Sequence, residues 1–457
     1  MSTGGTMGSG GNASAGGSKA TGGTPSSGGT TSPGGKTGSG GTVSSGGIVG
    51  SGGAVSSGGN KASGGATSTS DASALGGTTS SGGDTSAGGS KATGGTTMGA
   101  GGIATTGGNQ AMGGTTGSGG NSSTATVCSA TSATLKTAGD CNKKLIGCAL
   151  TTSHLSDSSY TTAAKEHNFV TPENEMKWDT VEASRGSFNY GPGDQIVNFA
   201  VQNGMKVKGH TLVWHSQLPG WVSSLGSATD VRSVMLNHIK NVAGHYKGKV
   251  AAWDVVNEAW ETTSKKGDGT ATLGNDVFNK YLGASYIDEA FTAARAADPD
   301  ALLFYNDYSS EGMNDKANAI YKMVSDMVSR GIPIDGVGMQ MHIGSPNDTP
   351  TAAEIAQNMK RIADLGLKIA ISEMDVNCCD GYSLDQEATI YHDIVAACAA
   401  QTGCWAITFW GLSDKYSWLN SFGEAGCNGK PATPLLWNDS YAKKPAYTSV
   451  IKALTGN

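Results

Sequence analysis

The chain has 457 residues and a formal net charge of −6, from 31 Lys and Arg against 37 Asp and Glu. Residues 1–127 hold four lysines and two aspartates, which leaves 27 basic and 35 acidic residues in 128–457. So acidic a portion speaks against nucleic acid or an anionic membrane as partner, and no apolar run is long enough to span a bilayer.

Residues 1–127 contain no Phe, Trp, Tyr or Cys. Gly-Gly recurs every six residues from Gly4-Gly5 to Gly64-Gly65 and is lost once at Ser70-Asp71. It resumes at Gly76-Gly77, slips by one at Gly101-Gly102 and ends at Gly119-Gly120. A β-helix of that period needs an apolar residue in each rung, and Ser, Thr and Ala stand there instead. The segment cannot bury enough apolar surface to offset its ordering entropy, so 1–127 is expected to be a flexible linker or stalk. Met1-Ser2-Thr3-Gly4-Gly5 lacks the charged start and apolar core of a secretory signal. The eight cysteines nevertheless lean towards an oxidising compartment, so a secreted or cell-surface location is expected. They are Cys128, Cys141, Cys148, Cys378, Cys379, Cys398, Cys404 and Cys427, and their spacing fits no zinc pattern.

Residues 128–457 alternate short apolar runs with longer helical patterns. Strands are expected at 144–150, 168–172, 206–213, 250–257, 301–306, 335–342, 368–373 and 404–410. Helical periodicity marks 231–246, 285–297, 314–330 and 352–365. Asp298-Pro299 and Gly331-Ile332-Pro333 punctuate two helix ends. The strands are apolar on both faces, as in a parallel sheet covered by helices, and eight such units point to a (β/α)₈ barrel. Chemistry in that fold sits where the strands end. Two of these runs end in a glutamate, Glu258 after Trp253-Asp254-Val255-Val256-Asn257 and Glu373 after Ile369-Ala370-Ile371-Ser372. They stand 115 positions apart, so only a fold could pair them. Seven strand ends carry polar groups or tryptophans, the mixture with which proteins bind sugars.

Residues 140–457 resemble the family 10 glycoside hydrolases, whose typical member is a retaining endo-β-1,4-xylanase. The motifs TPENEMKWD, GHTLVWHSQLPGW, WDVVNEAW, YNDY, GMQMH, SEMD and TFWG carry the resemblance in order and spacing. It implies that Glu258 is the acid/base and Glu373 the nucleophile, with carboxyls about 5–5.5 Å apart as in retaining enzymes. It implies further that Asn257 contacts the 2-hydroxyl of the sugar being cleaved, and that His342, backed by Asp375, orients Glu373. Glu173, Asn174, Lys177, His210, Trp214 and Gln217 match sugar contacts on the non-reducing side. Gln340, Tyr308, Trp410 and Trp418 match residues lining the cleavage point. The short loop between Cys398 and Cys404, with a similar pair in some family members, leads to the expectation of a disulfide there. Ser309, Met341 and Leu419 depart from the family's common wording without removing a catalytic group.

The expected partner is xylan or a xylo-oligosaccharide, with no cofactor, no metal and a monomeric state. Two alternatives stay open: a related barrel glycanase on cellulose or mixed-linkage β-glucan, and a non-catalytic polysaccharide-binding barrel. Residues 128–457 are expected to act alone. Removal of residues 1–120 should therefore leave activity on soluble xylan within about twofold, measured as reducing-sugar release, because that segment has no core and no chemistry.

Overall fold

The computed structural model describes residues 133–262, 270–344, 349–377, 382–421 and 431–456. The linker expectation for 1–127 lies outside them, as do Cys128, Cys378, Cys379 and Cys427. The eight expected apolar runs form strands Leu145–Leu150 (β1), Phe169–Pro172 (β2), Lys206–Trp214 (β3), Ala252–Asn257 (β4), Leu302–Asp307 (β5), Gly336–Met339 (β6), Lys368–Val376 (β7) and Cys404–Phe409 (β8). Each pairs in parallel with the next, and β8 pairs with β1 through Leu145 opposite Ala406, so the sheet closes into a barrel.

The four expected helices appear as Ala228–His245, Ser285–Ala297, Asp315–Ser329 and Ala352–Ala363. The first starts earlier than its apolar periodicity because Ser227 caps it, its hydroxyl accepting the Asp230 N–H. Asn314 caps the third in the same way, and Thr351 with Glu354 forms a capping box on the fourth. Among the described residues no helix is long and apolar enough to cross a membrane.

At the end of the barrel where the strands begin, Phe169, Ala252, Phe304, Ala370 and Ala406 fill the interior. Trp405 packs on two of them, with ring centroids 5.3 Å from Phe169 and 5.4 Å from Phe304. Gly336 makes room for this layer, since a Cβ there would lie 2.3 Å from the Phe304 ring. Each buried phenyl contributes roughly 1.5–3 kcal/mol over leaving it exposed. A disulfide joins Cys398, at the end of helix Leu384–Ala400, to Cys404 at the start of β8, with Cα atoms 5.5 Å apart. Cys141 is also disulfide-bonded, and Cys148 is a buried free thiol.

The structure departs from the sequence reading in three places. The strand expected to end at Glu373 runs on to Val376, so Glu373 lies within β7. The run 335–342 is not one strand, because β6 stops at Met339 and the chain resumes pairing only at His342–Ile343, against Asp375 and Val376. Between them the Met341 N–H leaves the ladder for a Glu311 carboxylate oxygen at 3.1 Å, and Met341 takes φ 66°. A two-stranded ribbon, Trp260–Thr262 against Ala271–Leu273, follows β4. Its strands are too short and polar to leave a period in the sequence.

Candidate active site

Where the strands end, three pairs of neighbours slip register. The shifts fall between His210 and Val213 on β3, Asp254 and Val256 on β4, and Ile371 and Met374 on β7. Irregularities of this kind re-aim side chains at barrel rims. They lie next to His210, Glu258 and Glu373. The His210–Thr211 peptide bond is cis.

Glu258 leaves β4 with φ 56°, its N–H held by the Asn306 carbonyl at 2.9 Å. Its carboxyl is buried and receives three donors: Trp214 Nε1 at 2.8 Å, Gln340 Nε2 at 2.8 Å and Asn257 Nδ2 at 3.2 Å. Burial pushes its pKa up; the Gln340 hydrogen bond opposes this, while the negative charges of Asp307 and Glu373 add to it.

Glu373, on β7, is buried too, and burial alone would raise its pKa. The opposite happens, because His210, His342 and Lys208 outweigh burial and hold it at about 2. Asn306 Nδ2 donates to its Oε1 at 2.7 Å, and His342 Nε2 lies 3.3 Å from its Oε2. The His342 Nδ1 lies 3.0 Å from Asp375 Oδ1, whose other oxygen accepts from Trp418 Nε1 at 2.7 Å. Burial works against an imidazolium at His342, but Asp375 and Glu373 overcome it and push the pKa up to about 10. As a cation the ring donates from both nitrogens, one to each carboxylate.

His210 Nδ1 sits 2.9 Å from Asp254 Oδ2 and 4.0 Å from Glu373 Oε1. Potential ligand atoms of His210, Asp254 and Glu373 lie within 4.8 Å of one another, a spacing a metal could use. The Lys208 ammonium, 2.8 Å from the same Asp254 oxygen, already supplies the positive charge there. Trp410 stands edge-on to His210, with ring centroids 5.3 Å apart, and Trp418 lies 5.0 Å from His342.

A second cluster comes from the loop after β2. Lys177 Nζ donates to Asn174 Oδ1 at 2.9 Å and to Gln217 Oε1 at 2.7 Å, and it stands 4.9 Å from the Trp214 ring centroid. Gln217 donates back to Asn174 at 3.2 Å. Glu173 is half-buried beside them; burial raises its carboxyl to about 7 against the pull of Lys177. Tyr308 flanks Glu258 on the β5 side, its ring centroid 3.5 Å from the buried Lys316 ammonium.

Glu258, Glu373, Asn257, His342, Asp375, Gln340, His210, Trp214, Trp410 and Trp418 thus form one connected set, and Glu173, Asn174, Lys177 and Gln217 join it through Trp214. Sequence reasoning overlooked Asn306, although it stands inside YNDY. Its amide donates both to Asn257 Oδ1 at 2.8 Å and to Glu373, and so ties the two carboxyl-bearing strands together. It also overlooked Glu175, which fixes the β2 loop by accepting from the Thr152 N–H at 2.6 Å and the Asn174 N–H at 3.1 Å. Gly338 makes room for Asn306: a Cβ there would lie 2.2 Å from Asn306 Oδ1. Gly338→Ala should displace that amide and lower kcat about 100-fold, with far less change in KM, as steady-state kinetics on an aryl glycoside would show.

A raised carboxyl and an ionised one in a single mouth are the chemistry that an acid and a nucleophile or base require. Indole faces and amides around them suit a sugar's apolar face and hydroxyls.

The family model for glycosyl hydrolase family 10 matches residues 134–453. Endo-1,4-beta-xylanase B of Thermotoga neapolitana is 40% identical over 293 residues, 63% of this chain and 81% of the relative. Endo-1,4-beta-xylanase A of Fusarium oxysporum is 38% identical over 337 residues, 71% of this chain and 98% of the relative. Among solved structures, native xylanase 10B of Thermotoga maritima matches at TM-score 0.64 and 39% identity, covering 70% of this chain and 98% of its own. Xylanase 10B of Thermotoga petrophila in complex with xylobiose gives TM-score 0.64 and 39% identity over 70% of this chain and 97% of its own.

Proposed function

Since the chain belongs to glycosyl hydrolase family 10, we propose that it is a retaining endo-β-1,4-xylanase with Glu373 as nucleophile and Glu258 as acid/base. The observation that carries this reading is the different company of two buried carboxyls in one mouth: Glu258 is met by the neutral donors of Trp214 and Gln340, whereas Glu373 lies against His342, so that one is raised and the other held low. Glu373 attacks the anomeric carbon while Glu258 passes its proton to the departing glycosidic oxygen. The covalent glycosyl-enzyme leaves Glu373 neutral, which removes one of the charges that raise Glu258. Glu258, now ionised, takes a proton from water as that water attacks the anomeric carbon and Glu373 departs.

The remaining site residues follow from this. Asn257, fixed by Asn306, faces the 2-hydroxyl, where a hydrogen bond strengthens as charge develops. His342 keeps Glu373 ionised and oriented, and Asp375 keeps His342 charged. Glu173, Asn174, Lys177, His210, Trp214 and Gln217 bind sugars on the non-reducing side. Tyr308, Gln340, Trp410 and Trp418 line the cleavage point. Cys398–Cys404 and the bonded Cys141 suit a compartment outside the cytoplasm.

Relatives named as endo-1,4-beta-xylanases and a structural neighbour holding xylobiose support xylan as substrate. The test is reducing-sugar release from xylan, carboxymethylcellulose and barley glucan side by side. A pocket shaped for xylose should reject the extra hydroxymethyl of glucose by at least about tenfold. Equal or faster release from either glucan would overturn the assignment.

A further inference from the structure

Lys316 is one of the largest fully buried side chains, in the first turn of helix Asp315–Ser329. Its ammonium lies 2.7 Å from Asp307 Oδ1, and both groups are wholly shielded from water. Burying such a pair is costly, so the surrounding fold must hold both charges in place. The other oxygen of Asp307 accepts the Tyr305 hydroxyl and, at 3.4 Å, the Trp260 N–H. The Tyr305 hydroxyl oxygen accepts the Ala259 N–H at 3.1 Å. With the Glu258 N–H on the Asn306 carbonyl, three successive amides of the chain leaving β4 are anchored on β5. This is the stretch in which Glu258 takes a left-handed backbone conformation that a non-glycine residue does not hold unaided.

We infer that Lys316 and Asp307 are positioning residues for Glu258: the buried pair fixes the backbone that presents the general acid, and so governs proton delivery rather than attack by Glu373. The inference rests on the acid/base role proposed for Glu258. Neither the Asp307 carboxylate nor the Lys316 ammonium bonds the Glu373 carboxylate, which hangs on Asn306 and on His342 backed by Asp375; the Asp307 carbonyl takes the Gln340 N–H at 3.0 Å, and Lys316 lies 3.5 Å from the Tyr308 ring centroid. The ionisable groups that act on Glu258 are Asp307 behind it on β5, Glu373 across the mouth on β7 and His215 beyond β3. Lys177 from the β2 loop and Tyr308 also feel its charge. Asp307 thus touches the acid both through the backbone and through its field.

The test exploits leaving groups. A dinitrophenyl xylobioside needs no proton to lose its phenol, whereas xylan and a phenyl xylobioside do. For Asp307→Asn and Lys316→Met, kcat/KM on phenyl xylobioside should fall about 100-fold, the scale of a misplaced catalytic group. On the dinitrophenyl substrate kcat/KM should stay within about threefold, because that parameter ends at glycosyl transfer. Azide should then raise kcat on the dinitrophenyl substrate, since it replaces a water molecule that lacks a well-placed base. Lys316→Arg keeps the charge and should recover much of the loss if the others fold poorly.

Equal losses on both substrates in Asp307→Asn and Lys316→Met, or no loss on either, would overturn the positioning role. Glu258→Ala run in parallel separates the two readings. If it shows the split and the Asp307 and Lys316 variants do not, only the present inference fails. If Glu258→Ala itself shows no split, the acid/base assignment fails.

Discussion

Glu373→Ala should be inert on every β-xyloside, whatever its leaving group, and Glu258→Ala should not. Without Glu373 no glycosyl-enzyme forms. Without Glu258 an activated aryl xylobioside can still load Glu373, because its phenolate departs without a proton. The enzyme then stalls, since nothing deprotonates water. Azide needs no base, so it should restore turnover to Glu258→Ala and give the β-glycosyl azide, the product of two inversions. With Glu373→Ala any azide product should be the opposite anomer, from one inversion. The expected loss is on the order of 10⁴-fold or more for Glu373→Ala on all substrates, within the range that removing a nucleophile produces. Anomeric configuration read by NMR decides the matter: an α-azide from Glu258→Ala, or no rescue of it on the activated substrate, reverses or refutes the two roles.

The second large effect concerns His342. Three groups oppose the burial of Glu373, and His342 is the one that both hydrogen-bonds it and faces it with charge. In His342→Ala the pKa of Glu373 should rise from about 2 towards and beyond the ordinary carboxylate range. Asp375 would lose its cationic partner at the same time, and its freed negative charge pushes the same way. Attack requires ionised Glu373, so activity should be lost as pH falls through the new value, and the acid limb of kcat/KM should move to higher pH. On an activated aryl xylobioside, where protonation of the leaving group does not matter, the loss at pH 5 should be about 10²- to 10³-fold. At pH 8 it should be clearly smaller. A loss of the same size at both pH values would mean that His342 only shapes the site.

The barrel was legible because its strands are buried on both faces and read as unbroken apolar runs, and the strand bounds were met within a few residues. The two glutamates were legible because Glu258 directly follows such a run and Ser372-Glu373 interrupts one, although β7 itself runs on to Val376. What stayed hidden depends on contacts across strands. Asn306 looked like any polar residue at a strand end until its amide was seen to bridge Asn257 and Glu373. Lys316 sits in a helical pattern, where a lysine ordinarily points to solvent, and nothing in that pattern shows that its ammonium meets the Asp307 carboxylate at the end of β5. The break after Met339 was missed for a similar reason. Gly336 to His342 alternates like a strand, and the Glu311 carboxylate that draws away the Met341 N–H comes from 30 positions upstream.

Four non-glycine residues around the mouth of the barrel hold left-handed backbones: Gln217 at φ 43°, Glu258 at 56°, Ser309 at 51° and Met341 at 66°. Each such residue carries on the order of 1 kcal/mol or more of strain that the rest of the fold restrains. A lineage released from the need to cut polysaccharide would be free to relax them. Glycine would relieve the strain most cheaply at Ser309, because Met341 and Glu258 are buried and their loss would leave a cavity or unpaired donors. The mouth would drift first while the Phe169–Phe304 layer stayed intact, so a silent copy of this protein would be recognisable by an unchanged base and a blank rim.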